Sequence, residues 1–292
     1  MLTHALPAPQ APGRVAVIGA GGFLGRALVA RLAASKIPTL AIGRAEVDLA
    51  GEGEGARLAA LLKPGDTAVF LSALTPDKGR GPDALLANMR MGAAVCQAFE
   101  RAPPGHAVYI GSDAVYPFRA GLIDETAPAE PTDLYGAMHL AREVMLRQAV
   151  KCPLAVLRPT LIYGAGDTHN SYGPNRFRRM ARESGRITLF GGGEETRDHI
   201  AVGDAAQLIE LAILHRSAGV LNLATGRSVS FAEIARMVAA GFPGKVEIAA
   251  TPRQNPVTHR AFDIAALLRA FPGFAFTKLE QGLAAAQREE KV

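Results

Sequence analysis

Cysteine is scarce in this 292-residue chain, with only Cys96 and Cys152. Two thiols cannot build a disulfide framework or a cysteine metal cluster, and they fit a reducing, cytoplasmic setting. No stretch approaches eighteen uninterrupted apolar residues, which argues against a membrane span. The opening MLTHALPAPQAPGR has neither a charged start nor an apolar block. It does not read as a signal peptide, and residues 1–13 read as a loose, flexible arm. Aromatic residues make up 6% of the chain, and none forms a stacking platform beside the densest basic cluster, Arg176, Arg178, Arg179, Arg182 and Arg186. That argues against a nucleic-acid partner. His4, His106, His169, His199, His215 and His259 lack metal-ligand spacing, so no metal site is expected.

What is present is apolar surface: 49% hydrophobic against 20% charged residues, enough for a large core. Thirty-two basic against twenty-seven acidic side chains leave a net charge of +5, mildly favouring acidic ligands. Short apolar runs alternate with helical patterns from the start. Arg14–Ile18, Thr39–Ile42, Ala68–Leu71, Ala107–Ile110 and Leu154–Leu157 read as strands. Between them lie helical patterns from Leu24, around Ala56–Leu62, over Leu85–Arg101 and over Tyr135–Val150. Continuously apolar strands separated by helices imply an α/β, doubly wound parallel sheet covered on both faces, a Rossmann-type fold.

The rhythm breaks after Pro159. Residues 164–200 are rich in Gly, Arg and Asn, and regular elements resume at Asp204. Asp204 with Gln207 suggests a capping box for a helix Ala205–Leu214, and Ser230 with Glu233 suggests one for Phe231–Ala240. Val220–Leu223 reads as a further strand. The expected organisation is a dinucleotide-binding domain over residues 14–163, with 201–226 returning to it. A smaller, discontinuous substrate region is expected from 164–200 and 227–292.

Between the first strand and the first helix stands Gly19-Ala20-Gly21-Gly22-Phe23-Leu24-Gly25. Gly19 suits a tight turn, Gly22 lets backbone approach a pyrophosphate, and Gly25 packs helix on strand, while the helix N-terminus offers N–H groups to the anion. The second strand ends Ile42-Gly43-Arg44, with no carboxylate before Glu46. A carboxylate there would hold the ribose hydroxyls, whereas Arg44 suits a 2′-phosphate, so NADP(H) is slightly preferred over NAD(H).

Two later segments carry hydroxyls suited to proton transfer. Ser112-Asp113-Ala114-Val115-Tyr116 lies just past the strand Ala107–Ile110, and Tyr135 opens a helix with His139 one turn on. Ser112 and Tyr135 can hydrogen-bond a carbonyl or alcohol, and a tyrosine with a lowered pKa can exchange its proton.

These features together resemble the extended short-chain dehydrogenase/reductases, the nucleotide-sugar epimerase/dehydratase group, from about Arg14 to Gly282. The markers are GAGGFLG (Gly19–Gly25), Asp48-Leu49, Asn88, SDAVY (Ser112–Tyr116), YGAMH (Tyr135–His139), RPTLIYG (Arg158–Gly164) and GGGEETRDHIAVGD (Gly191–Asp204). The resemblance implies an oxidoreductase or epimerase with Ser112, Tyr135 and His139 as catalytic residues. It implies a cofactor site including Phe23, Leu24, Asp48, Leu49, Ala73 and Asn88. Substrate contacts would come from Asp113, Asn175, Arg197 and Arg253, the last two reaching a nucleotide diphosphate. It also implies a homodimer paired through the helices Leu85–Arg101 and Tyr135–Val150, although Met89, Met91, Leu140 and Met145 there suit an ordinary core equally. The Gly43–Leu49 and SD-x-V-aromatic segments look like dTDP-4-dehydrorhamnose reductases, while Gly173–Phe177 and the RDHI segment look more like epimerases. Ala114 stands where dehydratases carry glutamate, which disfavours dehydration.

The departure from the family pattern is His139, where its members carry lysine. Histidine can donate to a ribose hydroxyl but brings less charge to the phenol. Two alternatives stay open at this level: a non-catalytic NADP(H)-binding or sensor protein, and a reductase of a simple carbonyl.

Overall fold

The computed structural model describes residues 1–118, 121–170 and 172–289; the last three residues of the expected 227–292 region lie outside them. The chain opens with β1 (Thr3–His4), β2 (Val15–Ile18), α1 (Phe23–Ala34), β3 (Thr39–Ile42), α2 (Glu54–Leu61) and β4 (Thr67–Phe70). It continues through α3 (Pro82–Arg101), β5 (His106–Ile110), β6 (Leu122–Ile123), α4 (Leu134–Ala149), β7 (Leu154–Pro159) and β8 (Leu161–Tyr163). Then come α5 (Pro174–Ser184), β9 (Arg186–Phe190), β10 (Thr196–Ala201), α6 (Val202–Leu214), β11 (Ser217–Leu223) and β12 (Ser228–Ser230). The last elements are α7 (Phe231–Ala240), β13 (Glu247–Thr251), β14 (Ala261–Phe262), α8 (Ala265–Ala270) and α9 (Leu279–Glu289).

The main sheet has the order β1-β11-β7-β5-β4-β2-β3, and every pair except β1–β11 is parallel. Its strands are buried on both faces, which is why VAVI, TAVF and HAVYI read as unbroken apolar runs rather than alternating ones. One face is covered by α1 and α6, whose Leu28, Leu32, Ile209 and Ile213 are withdrawn from water. The other carries α2 and α3, with Leu58, Val95 and Phe99. Each such side chain contributes roughly 1.5–3 kcal/mol of hydrophobic stabilisation. The strand order reverses between β2 and β4, a crevice where a doubly wound sheet takes its ligand.

The smaller region holds β8, β10 and β12 in one sheet and β9 with β13 in another, around Phe177, Ile234 and Leu283. Residues 201–226 return as α6 and β11 to the main sheet. Among the described residues no helix is long and apolar enough to cross a membrane.

Two local expectations change in three dimensions. Thr3 and His4 are not a loose arm but an edge strand, and His4 bonds Ser217 Oγ (2.8 Å) and the Ala270 carbonyl (2.9 Å). Asp204 does not cap α6, which starts earlier at Val202. Its carboxylate instead accepts the Thr277 N–H and hydroxyl, both at 2.8 Å. The second capping box, Ser230 with Glu233, is formed as the local pattern indicated.

Candidate functional site

The ends of β2, β3, β4 and β5 open onto a cleft of about 790 Å³, closed on its far side by Asn175, Arg197 and Arg260. Its floor at one end is the glycine turn. Gly22 caps α1 without any side-chain hydrogen bond, and no acidic residue sits in the first turn. The leading N–H groups and the positive end of the helix dipole are therefore free to meet an anion. Gly19 has φ +103°, and a side chain at Gly25 would overlap the Gly19 carbonyl. Backbone lies directly on backbone here, which is the cradle a dinucleotide pyrophosphate requires.

Arg44 and Asp48 stand at the mouth beyond β3, both exposed, 3.4 Å apart. Glu46, the first carboxylate after that strand, is turned back to accept the Gly43 N–H at 2.8 Å.

At the other end two caps bring the hydroxyl residues together. Ser112 Oγ accepts the Ala114 N–H (3.1 Å) and so starts the turn Asp113–Val115. Asp133 accepts the Gly136 N–H (2.8 Å) and starts α4. Gly136 lets that helix lie directly against the Ala114 carbonyl, which any side chain would overlap. Tyr135 is thereby set beside the Ser112 turn, and both line the cleft.

His139 is buried, and its ring meets Tyr135 edge-on at 4.6 Å. Nδ1 lies 2.7 Å from the Tyr109 hydroxyl, while Nε2 has no partner. Burial, with the Arg142 charge nearby, holds the imidazole well below the usual histidine range, so it is neutral. Burial also pushes the Tyr135 phenol up, and Asp113 adds to this. A buried donor position without a partner facing a cleft is what a ligand hydroxyl would satisfy.

Asp113 is bound by Arg260 (2.8 Å), which also donates to the Tyr116 carbonyl (2.7 Å). Arg260 and Arg197 both lie over the Phe118 ring, at 4.2 and 4.8 Å from its centroid. Arg197 donates to the Thr258 carbonyl and hydroxyl, each at 2.7 Å. Burial and the Arg260 charge lower its proton affinity, a strain that an anionic ligand would relieve.

Of the residues singled out from sequence, all but two line this cleft. Asn88 is one exception: its side chain holds the backbone of Leu74 through two bonds, at 2.8 and 3.0 Å. Arg253 is the other. It pairs with Glu194 and Glu195 and lies against Gly191, so its charge is already met. Arg260 takes the place beside Arg197 instead, and nothing local in the sequence distinguishes it. Asn175 faces the cleft with its Oδ1 already accepting the Gly164 N–H at 3.2 Å.

Residues 15–224 match the model of the NAD dependent epimerase/dehydratase family. A dTDP-L-rhamnose 4-epimerase from Burkholderia thailandensis is 35% identical over 170 residues, which cover 55% of this chain and 46% of that protein. An ADP-L-glycero-D-manno-heptose-6-epimerase from Alkalilimnicola ehrlichii is 28% identical over 193 residues, 60% of each chain. The matches thus span about half the length of these curated relatives. The UDP-glucose 4-epimerase structure from Thermus thermophilus, a complex with NAD, superposes with a TM-score of 0.83. It covers 95% of this chain and 99% of its own at 18% identity, a likeness of fold. By sequence match over most of its length, by sheet order and by its glycine cradle, the chain belongs to the NAD dependent epimerase/dehydratase family.

Proposed function

We propose that the chain is an NAD(P)-dependent oxidoreductase of a nucleotide-activated sugar, working as an epimerase or as a keto-sugar reductase. The observation that carries this reading is the cleft itself. A bare helix N-terminus stands at one end, two arginines at the other, and Ser112, Tyr135 and His139 between them. The dinucleotide would lie along the part built from residues 14–163. The sugar nucleotide would lie against segments 164–200 and 227–292.

Bound nicotinamide supplies a hydride acceptor and donor. Ser112 Oγ accepts the Ala114 N–H with one lone pair, and its proton, held only at 3.5 Å by Asp113 Oδ1, is available to donate to the sugar oxygen. Tyr135 takes the hydroxyl proton as hydride leaves the carbon and returns it in the reverse step. His139 Nε2 is free to meet a ribose hydroxyl. Return of a hydride to the opposite face would give an epimer, whereas a keto-sugar that takes one hydride from reduced nicotinamide at carbon and one proton from Tyr135 at oxygen would leave as the alcohol, a net reduction. Epimerisation is favoured, since the two curated relatives described above, each matching somewhat over half of the chain, are a dTDP-L-rhamnose 4-epimerase and an ADP-L-glycero-D-manno-heptose-6-epimerase. With Asp113 bound to Arg260 and alanine at 114, the acid pair that dehydration needs is missing.

Arg44 favours NADP(H), and the adjacent Asp48 carboxylate keeps that preference small. Direct titration and thermal shift test both ends together. Wild type should bind NADP(H) a fewfold more tightly than NAD(H), and Arg44→Ala should erase the difference. A nucleoside diphosphate at a hundred times its Kd should stabilise the fold by about 2.7 kcal/mol. Arg197→Ala should lose most of that. Indifference to every nucleotide would remove the nucleotide-sugar reading and promote a simple carbonyl substrate.

We also propose a homodimer in the cytoplasm, formed through α3 and α4, where Leu86 and Val144 are half exposed. The free thiols of Cys96 and Cys152 accord with a reducing compartment. Sedimentation should give twice the chain mass, and the double substitution L86E/V144E should give a monomer; a monomeric wild type would end that proposal.

A further inference from the structure

Arg142 lies on the face of α4 that carries Tyr135 and His139, and it is fully buried. Gly92 of α3 makes room for its stem, at a point where a side chain would press on the Arg142 Cγ. The guanidinium donates to the Ser72 carbonyl (2.8 Å), to the Asn88 carbonyl (3.0 Å) and to the Asn88 Oδ1 (3.2 Å). It stacks over Phe70 at 4.9 Å and lies against the Tyr109 phenol. No carboxylate is among its partners in the described residues. A buried cation left without an anion is costly and needs a reason.

We propose, resting on the oxidoreductase reading above, that Arg142 and His139 divide two tasks at this site, a charge for the phenol and a donor for the ribose. Arg142 is a positioning residue that presents a permanent charge to Tyr135 from behind, and His139 provides the neutral donor to the ribose. The geometry links the two. The Tyr109 oxygen lies 2.7 Å from His139 Nδ1, and the Arg142 charge favours the phenol giving its proton to that nitrogen. The imidazole then keeps its own proton on Nε2, the unpartnered nitrogen beside the cleft.

The other groups facing Tyr135 act against the phenolate. Asp113 stands on the turn after β5, Asp133 at the cap of α4 and Asp77 on the loop after β4. His139 and Tyr109 are uncharged there, and Arg142 is the cation that opposes the three carboxylates. Arg260 is already engaged with Asp113.

Two measurements test this and separate its failure from that of the oxidoreductase reading. The first needs no turnover. Imidazole nitrogen NMR of the wild-type chain with NAD⁺ should show His139 as the Nε2–H tautomer throughout the pH range in which the protein is folded. Tyr109→Phe should mix the tautomers. An Nδ1–H signal in the wild type would overturn the proposal. The second follows initial rate against pH with UDP-glucose and NAD⁺ as probes. Arg142→Gln should move the limb that reports Tyr135 upward by about one pH unit, a tenfold lower rate below the limb. Arg142→Lys should restore it. His139→Ala should raise KM for NAD⁺ and leave the limb in place. A limb unmoved in Arg142→Gln, or moved equally in His139→Ala, would overturn the division of tasks. If no nucleotide sugar turns over while the NMR result holds, the oxidoreductase reading fails and the hydrogen-bonded chain stands.

Discussion

Tyr135→Phe is expected to lower turnover of a nucleotide sugar by about 10²–10⁴-fold, the usual worth of a positioned proton donor and acceptor. The change removes one oxygen and keeps the ring. Its edge-on contact with His139 at 4.6 Å does not involve the hydroxyl, so the packing survives. The fold should be unaltered by thermal unfolding, and NAD(P)H should bind within about twofold of wild type, because the glycine turn and His139 are untouched. The loss should fall on kcat rather than on KM. Ser112 cannot replace the phenol, since an aliphatic hydroxyl is a much weaker acid than a phenol. Asp113 cannot either while Arg260 holds its carboxylate. Full activity in Tyr135→Phe on the true substrate would remove Tyr135 from the chemistry, whatever the role of His139.

The parts of this molecule that could be read from the chain are those in which a few neighbouring residues decide the outcome. VAVI, TAVF and HAVYI are strands because each is apolar along its length, a pattern that only a doubly covered sheet tolerates. The glycine turn and the Ser230–Glu233 cap are equally local. What escaped depends on partners far along the chain. Asp204 and Gln207 have the spacing of a capping box, but Thr277 takes the carboxylate from 73 residues away. Arg253 and Arg260 look alike in sequence. Glu194 and Glu195 claim the first, which leaves the second for the cleft. Nothing in the residues next to Arg142 marks it for burial. Its burial is created by Gly92, Asn88 and Ser72, on elements that only the fold brings together. The same holds for Thr3 and His4, whose strand pairing requires residues 217 and 218.

Acidification should unfold this protein well before its carboxylates are exhausted, because buried histidines are held neutral. His106 is almost completely buried, with Nε2 on the Ser217 carbonyl at 2.8 Å, and burial pushes it down to about 4. His199 is buried too, with Nδ1 3.1 Å from the Arg197 carbonyl and Nε2 unpartnered, and it is likewise pushed down to about 4. In the unfolded chain both return to about 6.5. Below that value the unfolded state binds protons that the native state refuses, so stability falls with falling pH. The dependence begins near pH 6.5 and levels off near pH 4, where the folded histidines also protonate. Each histidine then costs about 3 kcal/mol, at roughly 1.4 kcal/mol per pH unit. The pair alone matches a large share of the roughly 5–15 kcal/mol that holds a domain together. His139, also depressed by burial, acts in the same direction. Urea unfolding from about pH 7 to about pH 4.5 should show the midpoint dropping steeply, with net proton uptake on unfolding. The double variant H106N/H199N should start less stable at neutral pH and show a shallower slope. A midpoint that stays flat from about pH 6.5 to about pH 4.5 would mean these imidazoles are already charged in the native state, and the burial argument would fall with it.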